Sequence, residues 1–237
     1  MNYTGNSRIP ARPGSSWLLA TALAHGGIVF DDDRPASLAE AVAALDKGRG
    51  RVVQGRGDRP EGGGGFCAYA DVPLALLRLK EEGRLGSALV VDTDAHQGDG
   101  TADAIRWWPW VHLLDFFEQD LFPWPKADED VPVPLPPGTN GAEYLDALRE
   151  HLPAALDCFR PDLVVYNAGS DVLWSDPLSR LFLTAEEMAE RDLYVVSEVR
   201  QRGVPVAMVL SGGYGRASWK AHARSIEGIL VRFDRAV

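Results

Sequence analysis

The sequence predicts an α/β fold with a mostly parallel sheet that is covered by helices on both faces, in three layers. Short apolar runs of strand length alternate along the chain with helical patterns of ten or more residues, which is typical of a parallel sheet. The chain has 237 residues, of which 46% are hydrophobic and 24% charged, enough for a sizeable core. We expect residues 1–237 to form one domain, with residues 1–16 irregular.

Two kinds of local signal define the elements. Continuous apolar runs such as residues 87–92 are typical of strands that are buried on both faces. Capping pairs mark where helices begin, as in Ser37 with Glu40 and Thr184 with Glu187, and Asn140 caps the longest helix. The predicted helices span residues 38–46, 71–83, 101–107, 141–159, 184–202 and 217–233, and the predicted strands span residues 87–92, 111–116, 162–167 and 204–210.

Two segments lack these signals. Residues 54–65 are rich in glycine and charge, and residues 123–140 are rich in proline. Such compositions are typical of loops, so we predict that both segments lie at the surface without regular structure.

Composition argues against several classes of protein. The formal net charge of −10 disfavours binding to nucleic acid or to an anionic membrane surface, because like charges repel. No apolar run is long enough to span a membrane, and residues 1–16 do not resemble a signal peptide. The two cysteines, Cys67 and Cys158, are far apart in sequence, which is typical of a reducing compartment. We therefore predict a cytoplasmic protein, with self-association or a partner chain left open.

Polar residues follow three of the predicted strands. Asp94 and His96 come after residues 87–92, Asp171 comes after residues 162–167, and Ser-Gly-Gly-Tyr, ending in Tyr214, comes after residues 204–210. In open α/β sheets the active site lies beyond the carboxyl ends of the strands. An imidazole and two carboxylates are zinc ligands, and three protein ligands leave a fourth position for water.

Each of these residues also has an ordinary structural interpretation. Asp-x-His alone is a weak motif, Asp99 or Thr101 can cap the next helix, and Asp171 can be a turn residue. Tyr214 can simply pack at the edge of the core. The functional interpretation is favoured because all the residues follow strands on the side where α/β folds place their sites.

Several longer motifs occur in a characteristic order. The chain resembles the histone deacetylase superfamily, above all its class IV branch and bacterial relatives. The stretches that carry the resemblance are GGGGFCAYADVPLAL (62–76), VVDTDAHQGDGTA (90–102), PDLVVYNAGSDVL (161–173), LTAEEMAERD (183–192) and VPVAMVLSGGY (204–214).

The resemblance implies an arginase/deacetylase fold with one Zn²⁺ per chain, held by Asp94, His96 and Asp171. It implies that Tyr214 donates a hydrogen bond to the oxyanion of the tetrahedral intermediate, a position where a preorganised donor is effective. A second metal, as in arginases, needs an Asp where this chain has Gly98. The mononuclear site is therefore favoured.

The resemblance also assigns residues around the ligands. Phe66 is expected to form one wall of a narrow substrate tunnel, near Gly212 and Gly213. Asp92 and Asp99 are expected to support the site from behind the ligands. The segment of Asp92, Asp94 and His96 is also expected to hold a structural K⁺ through its carbonyl groups.

The sequence departs from the family pattern at two places. Family members carry a tandem His pair shortly before the GFC motif, but counting back from Phe66 places Arg56 and Gly57 there. No histidine lies between His25 and His96. The resemblance further implies an N-terminally shortened fold, since the family carries several dozen more residues before Gly26.

The missing His pair leaves three interpretations open. A zinc-dependent hydrolase could use another base, for which the candidates are Asp58, Glu61 and Asp99, to cleave an acylated amine such as acetyl-lysine or a small acyl-amine. A more reactive substrate could make the pair dispensable. Alternatively, the chain could be a zinc-containing pseudoenzyme that serves as a binding or assembly subunit.

Overall fold

A seven-stranded sheet organises the part of the chain that the computed structural model describes, residues 17–21, 27–31 and 71–233. The strands are β1 (Trp17–Thr21), β2 (Gly27–Asp31), β3 (Ala88–Asp92), β4 (Val111–Glu118), β5 (Val131–Leu135), β6 (Leu163–Asn167) and β7 (Val206–Val209). The helices are α1 (Asp71–Glu81), α2 (Asp99–Ile105), α3 (Gly141–Phe159), α4 (Ala185–Gln201) and α5 (Ser218–Phe233).

The strand order is β1-β2-β7-β6-β3-β4-β5. The five strands from β7 to β5 are parallel, whereas β1 and β2 pair antiparallel at the other end. From β3 the chain continues through β4 and β5 on one side and then returns through β6 and β7 on the other. The switch point of the sheet therefore lies between β3 and β6, where open α/β folds bind ligands.

Both faces of the sheet are covered, which confirms the three-layer α/β prediction. In β3, Leu89 and Val91 pack in the same cluster as residues of α3, α4 and α5. Ala88 and Val90 alternate with them and pack with residues of α1 and α2. This alternation follows from the two-residue period of a strand, and it explains why β3 is apolar throughout.

The cap at Asn140 and the capping box at Thr184 form as predicted, and the cap at Asn140 is also a full capping box. The side chain of Asn140 accepts hydrogen bonds from the backbone of Ala142 and Glu143, and the side chain of Glu143 accepts from the backbone N–H of Asn140. Thr184 and Glu187 make the same exchange at the start of α4. These bonds satisfy N–H groups that have no partner within the helix.

The prediction of a loop over residues 123–140 was wrong in part, because β5 lies within it. Its sequence, VPVPL, contains two prolines, which normally argue against a strand. The carbonyl of Leu135 accepts from the N–H of Gln119, so alternate residues face β4 while Pro132 and Pro134 face away from it, at the edge of the sheet formed by the described residues. The outward N–H groups of an edge strand have no partner strand, so proline at these two positions removes no hydrogen bond of the sheet.

Other differences concern the ends of elements and the N-terminal region. β4 extends two residues beyond its predicted end, and α2 begins two residues earlier than predicted. The short strands β1 and β2 were not predicted. The predicted helix over residues 38–46 and the whole glycine-rich segment 54–65 lie outside the described residues. None of the described helices meets the length and hydropathy needed to cross a membrane.

The cap of α4 gives a test of the local assignment. Thr184→Ala removes the oxygen that accepts from the N–H of Glu187, and we expect the free energy of unfolding to fall by about 1 kcal/mol. Thr184→Ser keeps the oxygen and should stay close to the parent in urea denaturation. An equal loss in both variants would show that the methyl group, rather than the cap, stabilises this end of α4.

Candidate metal centre

Three potential ligands meet at the switch point of the sheet. Asp94 and His96 lie in the loop after β3, and Asp171 lies in the loop after β6. Nδ1 of His96 is 3.1 Å from Oδ1 of Asp94 and 2.9 Å from Oδ2 of Asp171. One ligand atom from each residue lies within 4.8 Å of the others. The strand-end residues singled out in the sequence are thus brought together.

Backbone groups hold both carboxylates in place. Oδ1 of Asp94 accepts from the N–H of His96 at 2.9 Å. Its Oδ2 accepts from the N–H of Gly212 at 3.0 Å and from the hydroxyl of Ser211 at 3.1 Å. Oδ1 of Asp171 accepts from the N–H of Ala95 at 2.9 Å. Each carboxylate is therefore oriented by a loop other than its own.

Two glycines allow the backbone to approach the carboxylates. A Cβ on Gly212 would lie 2.7 Å from Oδ2 of Asp171 and closer still to Oδ2 of Asp94. A Cβ on Gly169 would lie 2.7 Å from Cα of Asp94. Both distances are far below van der Waals contact, so a side chain at either position would displace the potential ligands.

The charges of the three residues are strongly linked. Burial opposes protonation of His96, but its hydrogen bonds with Asp171 and Asp94 outweigh this and raise its pKa to about 10. Burial would raise the pKa of Asp94, but the hydrogen bond and charge of His96 lower it to about 2. Burial, together with the charge of Asp94, raises the pKa of Asp171 to about 7. The metal-free site therefore holds a proton where a metal would bind.

The donor set fits a zinc ion. Tetrahedral zinc with bonds of about 2.0–2.1 Å places its ligand atoms roughly 3.3 Å apart, and the two contacts of His96 at 2.9 and 3.1 Å are close to this. Oδ1 of Asp94 and Oδ2 of Asp171 are the oxygens that face the imidazole. Three ligands of this kind leave a position for water or substrate.

Tyr214 lies at the exposed side of this group. Its ring is 6.3 Å from that of His96 between centroids and meets it edge-on at 89°, and 41% of the residue is exposed. Its backbone N–H donates to Oδ2 of Asp176 at 2.7 Å, and that of Gly215 donates to the same oxygen at 3.1 Å. Asp176 is buried and anchors the glycine-rich turn that carries the tyrosine.

Further carboxylates lie behind the ligands. Oδ1 of Asp92 accepts from the N–H of Asp94 at 3.0 Å, and its Oδ2 accepts from the side chain of Asn167 at 2.8 Å. Burial, and then the charge of Asp94, raise the pKa of Asp92 well above its usual range. Asp115 accepts from the N–H of Gly98 at 2.8 Å. Asp99 is buried in the first turn of α2.

Some of the predicted site residues lie outside the described residues, namely Phe66, Asp58 and Glu61. Gly212 and Gly213 belong to the turn between the carboxylates and Tyr214.

Sequence reasoning missed Asp176 and Arg191, which contact the loops of the site from elsewhere. Arg191 falls within the stretch LTAEEMAERD, which had suggested a capped helix and the family resemblance but no role for the arginine.

Known proteins are similar to this chain over most of its length. A model of the histone deacetylase domain matches residues 57–229. Histone deacetylase 2 of Arabidopsis thaliana is 38% identical over 176 residues, which cover 71% of this chain and 44% of that protein. The acetoin utilization protein AcuC of Staphylococcus xylosus is 27% identical over 173 residues, which cover 68% of this chain and 44% of that protein. The chain thus spans less than half the length of these two relatives.

The fold is also similar to that of a solved structure. The acetylpolyamine aminohydrolase of Burkholderia pseudomallei superposes with a TM-score of 0.67 at 25% sequence identity. The match covers 82% of this chain and 60% of that one. The shared architecture is the α/β sheet with its helices.

The protonated state of His96 predicts how metal binding depends on pH. A ligating imidazole must be neutral at the bonding nitrogen, so zinc must displace the proton that the raised pKa of His96 retains. We expect apparent zinc affinity to rise roughly tenfold for each pH unit between about pH 7 and pH 9. Competition with a chelator measures this.

His112→Gln is the matched control, because His112 lies away from the ligands, stacked on Phe159. It should keep the slope of the parent. An affinity that does not change with pH in the parent would contradict the protonated site.

Proposed function

The chain belongs to the histone deacetylase family, and we propose that it hydrolyses the amide bond of an acylated amine at a zinc centre held by Asp94, His96 and Asp171. The observation that carries the proposal is the convergence of these three side chains, with ligand atoms within 4.8 Å, at the switch point of the sheet. Among the described residues, Tyr214 at the border of this group is 41% exposed, and three protein ligands leave a fourth position for water or substrate. Such an arrangement supports a catalytic rather than a purely structural metal site.

The chain's own residues set up the ligands for this chemistry. When bound, zinc supplies a Lewis acid for the acyl carbonyl and lowers the pKa of its bound water. The N–H groups of Ala95 and Gly212 keep the carboxylates of Asp171 and Asp94 turned toward the site. His96 offers Nδ1, the atom that faces both carboxylates.

Tyr214 is proposed to donate its hydroxyl to the oxygen on which negative charge develops. A donor that is fixed before the reaction is effective because it needs no reorganisation in the transition state. Asp176 provides this fixation by accepting the N–H groups of Tyr214 and Gly215. The exposure of the ring leaves it able to contact a substrate.

Proton transfer must use groups other than a tandem His pair. Asp58 and Glu61 are proposed as bases because they precede the glycine run of residues 62–65 in the stretch where the family carries the pair. Asp99 is the third candidate, although its burial in α2 gives it less access to a substrate. General acid–base catalysis contributes about 10²–10⁴ in rate, so we expect slow turnover on an acetyl-lysine substrate.

The substrate class follows from charge and from the similar proteins. The net charge of −10 favours a cationic amine over an anionic substrate. A structural neighbour is named for action on acetylpolyamines. We propose acylated amines of this general kind, either acetyl-lysine or small acyl-amines.

A second candidate function is a zinc-binding pseudoenzyme that serves as a binding or assembly subunit. One observation favours it: Arg56 and Gly57 occupy the positions at which the resemblance places the two histidines. This candidate keeps the metal ligands but predicts no turnover.

Two substitutions separate the candidates. Asp171→Ala removes a ligand and should abolish both zinc binding and hydrolysis. Tyr214→Phe should keep zinc and lower kcat by about 10²–10³, the usual effect of removing one oxyanion donor. The measurements are zinc content and turnover of fluorogenic acetyl-lysine and acetylated diamines. Zinc bound at one per chain without turnover of any substrate would favour the pseudoenzyme.

Asp176 allows the positioning of Tyr214 to be tested separately. Asp176→Asn weakens the acceptor of two backbone N–H groups, and we expect kcat to fall roughly tenfold or more because the donor is less well held. Zinc content should stay at the parent level. Asp146→Asn, on the exposed surface of α3, is the control and should match the parent. An unchanged kcat in Asp176→Asn would refute the anchoring role.

A further inference from the structure

A buried arginine lies behind the metal centre. Arg191, in α4, has no exposed surface, and its Nη1 donates to the carbonyl of Thr93 at 3.1 Å and to that of Gly169 at 2.9 Å. Thr93 directly precedes Asp94, and Gly169 stands two residues before Asp171. We infer that Arg191 is a positioning residue that sets the spacing of the two loops that carry the metal ligands. The inference rests on the zinc site of the proposed function.

The two carbonyls belong to loops that already touch. Gly169 packs so closely on the backbone of Asp94 that a Cβ there would lie 2.7 Å from Cα of Asp94. The same guanidinium nitrogen donates to both loops on the side away from the ligands. A shift of either loop would therefore break one of these bonds or lengthen it.

Thr93 is fixed from several directions. Its N–H donates to the carbonyl of Asn167 at 2.9 Å, and its hydroxyl donates to the same carbonyl at 3.0 Å. The hydroxyl of Tyr144, in α3, donates to the carbonyl of Thr93 at 3.3 Å beside the bond from Arg191. The peptide that leads into Asp94 is thus tied to β6, α3 and α4.

The charge of Arg191 is balanced by its neighbour in α4. Oδ1 of Asp192 lies 2.8 Å from both Nε and Nη2 of Arg191, and the hydroxyl of Tyr166, in β6, donates to the same oxygen. Asp192 is also fully buried. The guanidinium can therefore be held at this depth while its Nη1 remains directed at the two loops.

Stability alone does not account for this pair. A buried ion pair is often no more stable than well-packed apolar side chains of similar volume. A guanidinium, however, presents several N–H donors in a rigid plane and can bind two carbonyls and a carboxylate at once, which an ammonium group does less well. The arrangement is suited to fixing positions rather than to adding stability.

Metal affinity tests the inference without using catalysis. The double variant Arg191→Met with Asp192→Leu removes the pair without leaving one buried charge, and Arg191→Lys keeps the charge but not the planar group. We expect the double variant to bind zinc 10–100-fold more weakly than the parent in competition with a chelator, a magnitude typical of residues that orient ligands. Arg191→Lys should recover only part of this loss.

Two further readouts separate positioning from a general structural role. The visible spectrum of the Co²⁺-loaded double variant should change in band position or intensity, since the ligand geometry changes. The metal-free double variant should still fold and unfold cooperatively in urea, at a lower midpoint than the metal-free parent, because the carbonyl of Gly169 and the hydroxyl of Tyr166 lose partners. Arg202→Lys, at the half-buried residue that follows α4, should match the parent in all three measurements.

The outcomes are distinct. Unchanged zinc affinity and an unchanged Co²⁺ spectrum in the folded double variant would overturn the inference. Failure of both Arg191 variants to fold would assign Arg191 a structural role and would also overturn it. A parent chain that binds zinc but hydrolyses nothing would refute the proposed activity alone, whereas a parent that binds no zinc would overturn both.

Discussion

The parallel pairing of β3 with β6 is the constraint on which the site depends. In this register Asp92 lies opposite Asn167, so the two loops that follow begin at the same level of the sheet. The bond from the N–H of Ala95 to Asp171 then joins them. A slip of one residue would turn alternate side chains to the other face. It would thereby separate Asp94 and His96, after β3, from Asp171, after β6.

This pairing also concentrates negative charge. The carboxylates of Asp92, at the end of β3, and of Asp94 and Asp171, in the two loops that follow β3 and β6, lie close together, and burial of Asp92 and Asp171 raises the pKa of each. Carboxylates at this depth need protons, N–H donors or cations to balance them. The fold supplies N–H donors from both loops and from Gly212, and among the described residues Asp94 and Asp171 also face the imidazole of His96.

The features that could be predicted from the sequence are those that leave a pattern among neighbouring residues. The potential ligands Asp94, His96 and Asp171 were found because each comes shortly after an apolar strand, and the helix starts at Asn140 and Thr184 were found because capping residues are a local signal. Asp176 and Arg191 were not found, because their partners lie far away along the chain and a buried polar residue in an amphipathic helix has no local signature. β5 was missed since proline lowers the strand signal everywhere, although an edge position tolerates it.

The two prolines of β5 have a consequence for how the molecule meets others. Exposed sheet edges attract further strands, because their unpaired N–H and C=O groups offer a template. Pro132 and Pro134 face outward on β5 and offer no N–H there, so an incoming strand would find half of its hydrogen-bonding ladder missing. Extension of the sheet from one molecule to the next is thereby weakened at this edge, because only the outward carbonyl groups of Pro132 and Pro134 remain to accept hydrogen bonds.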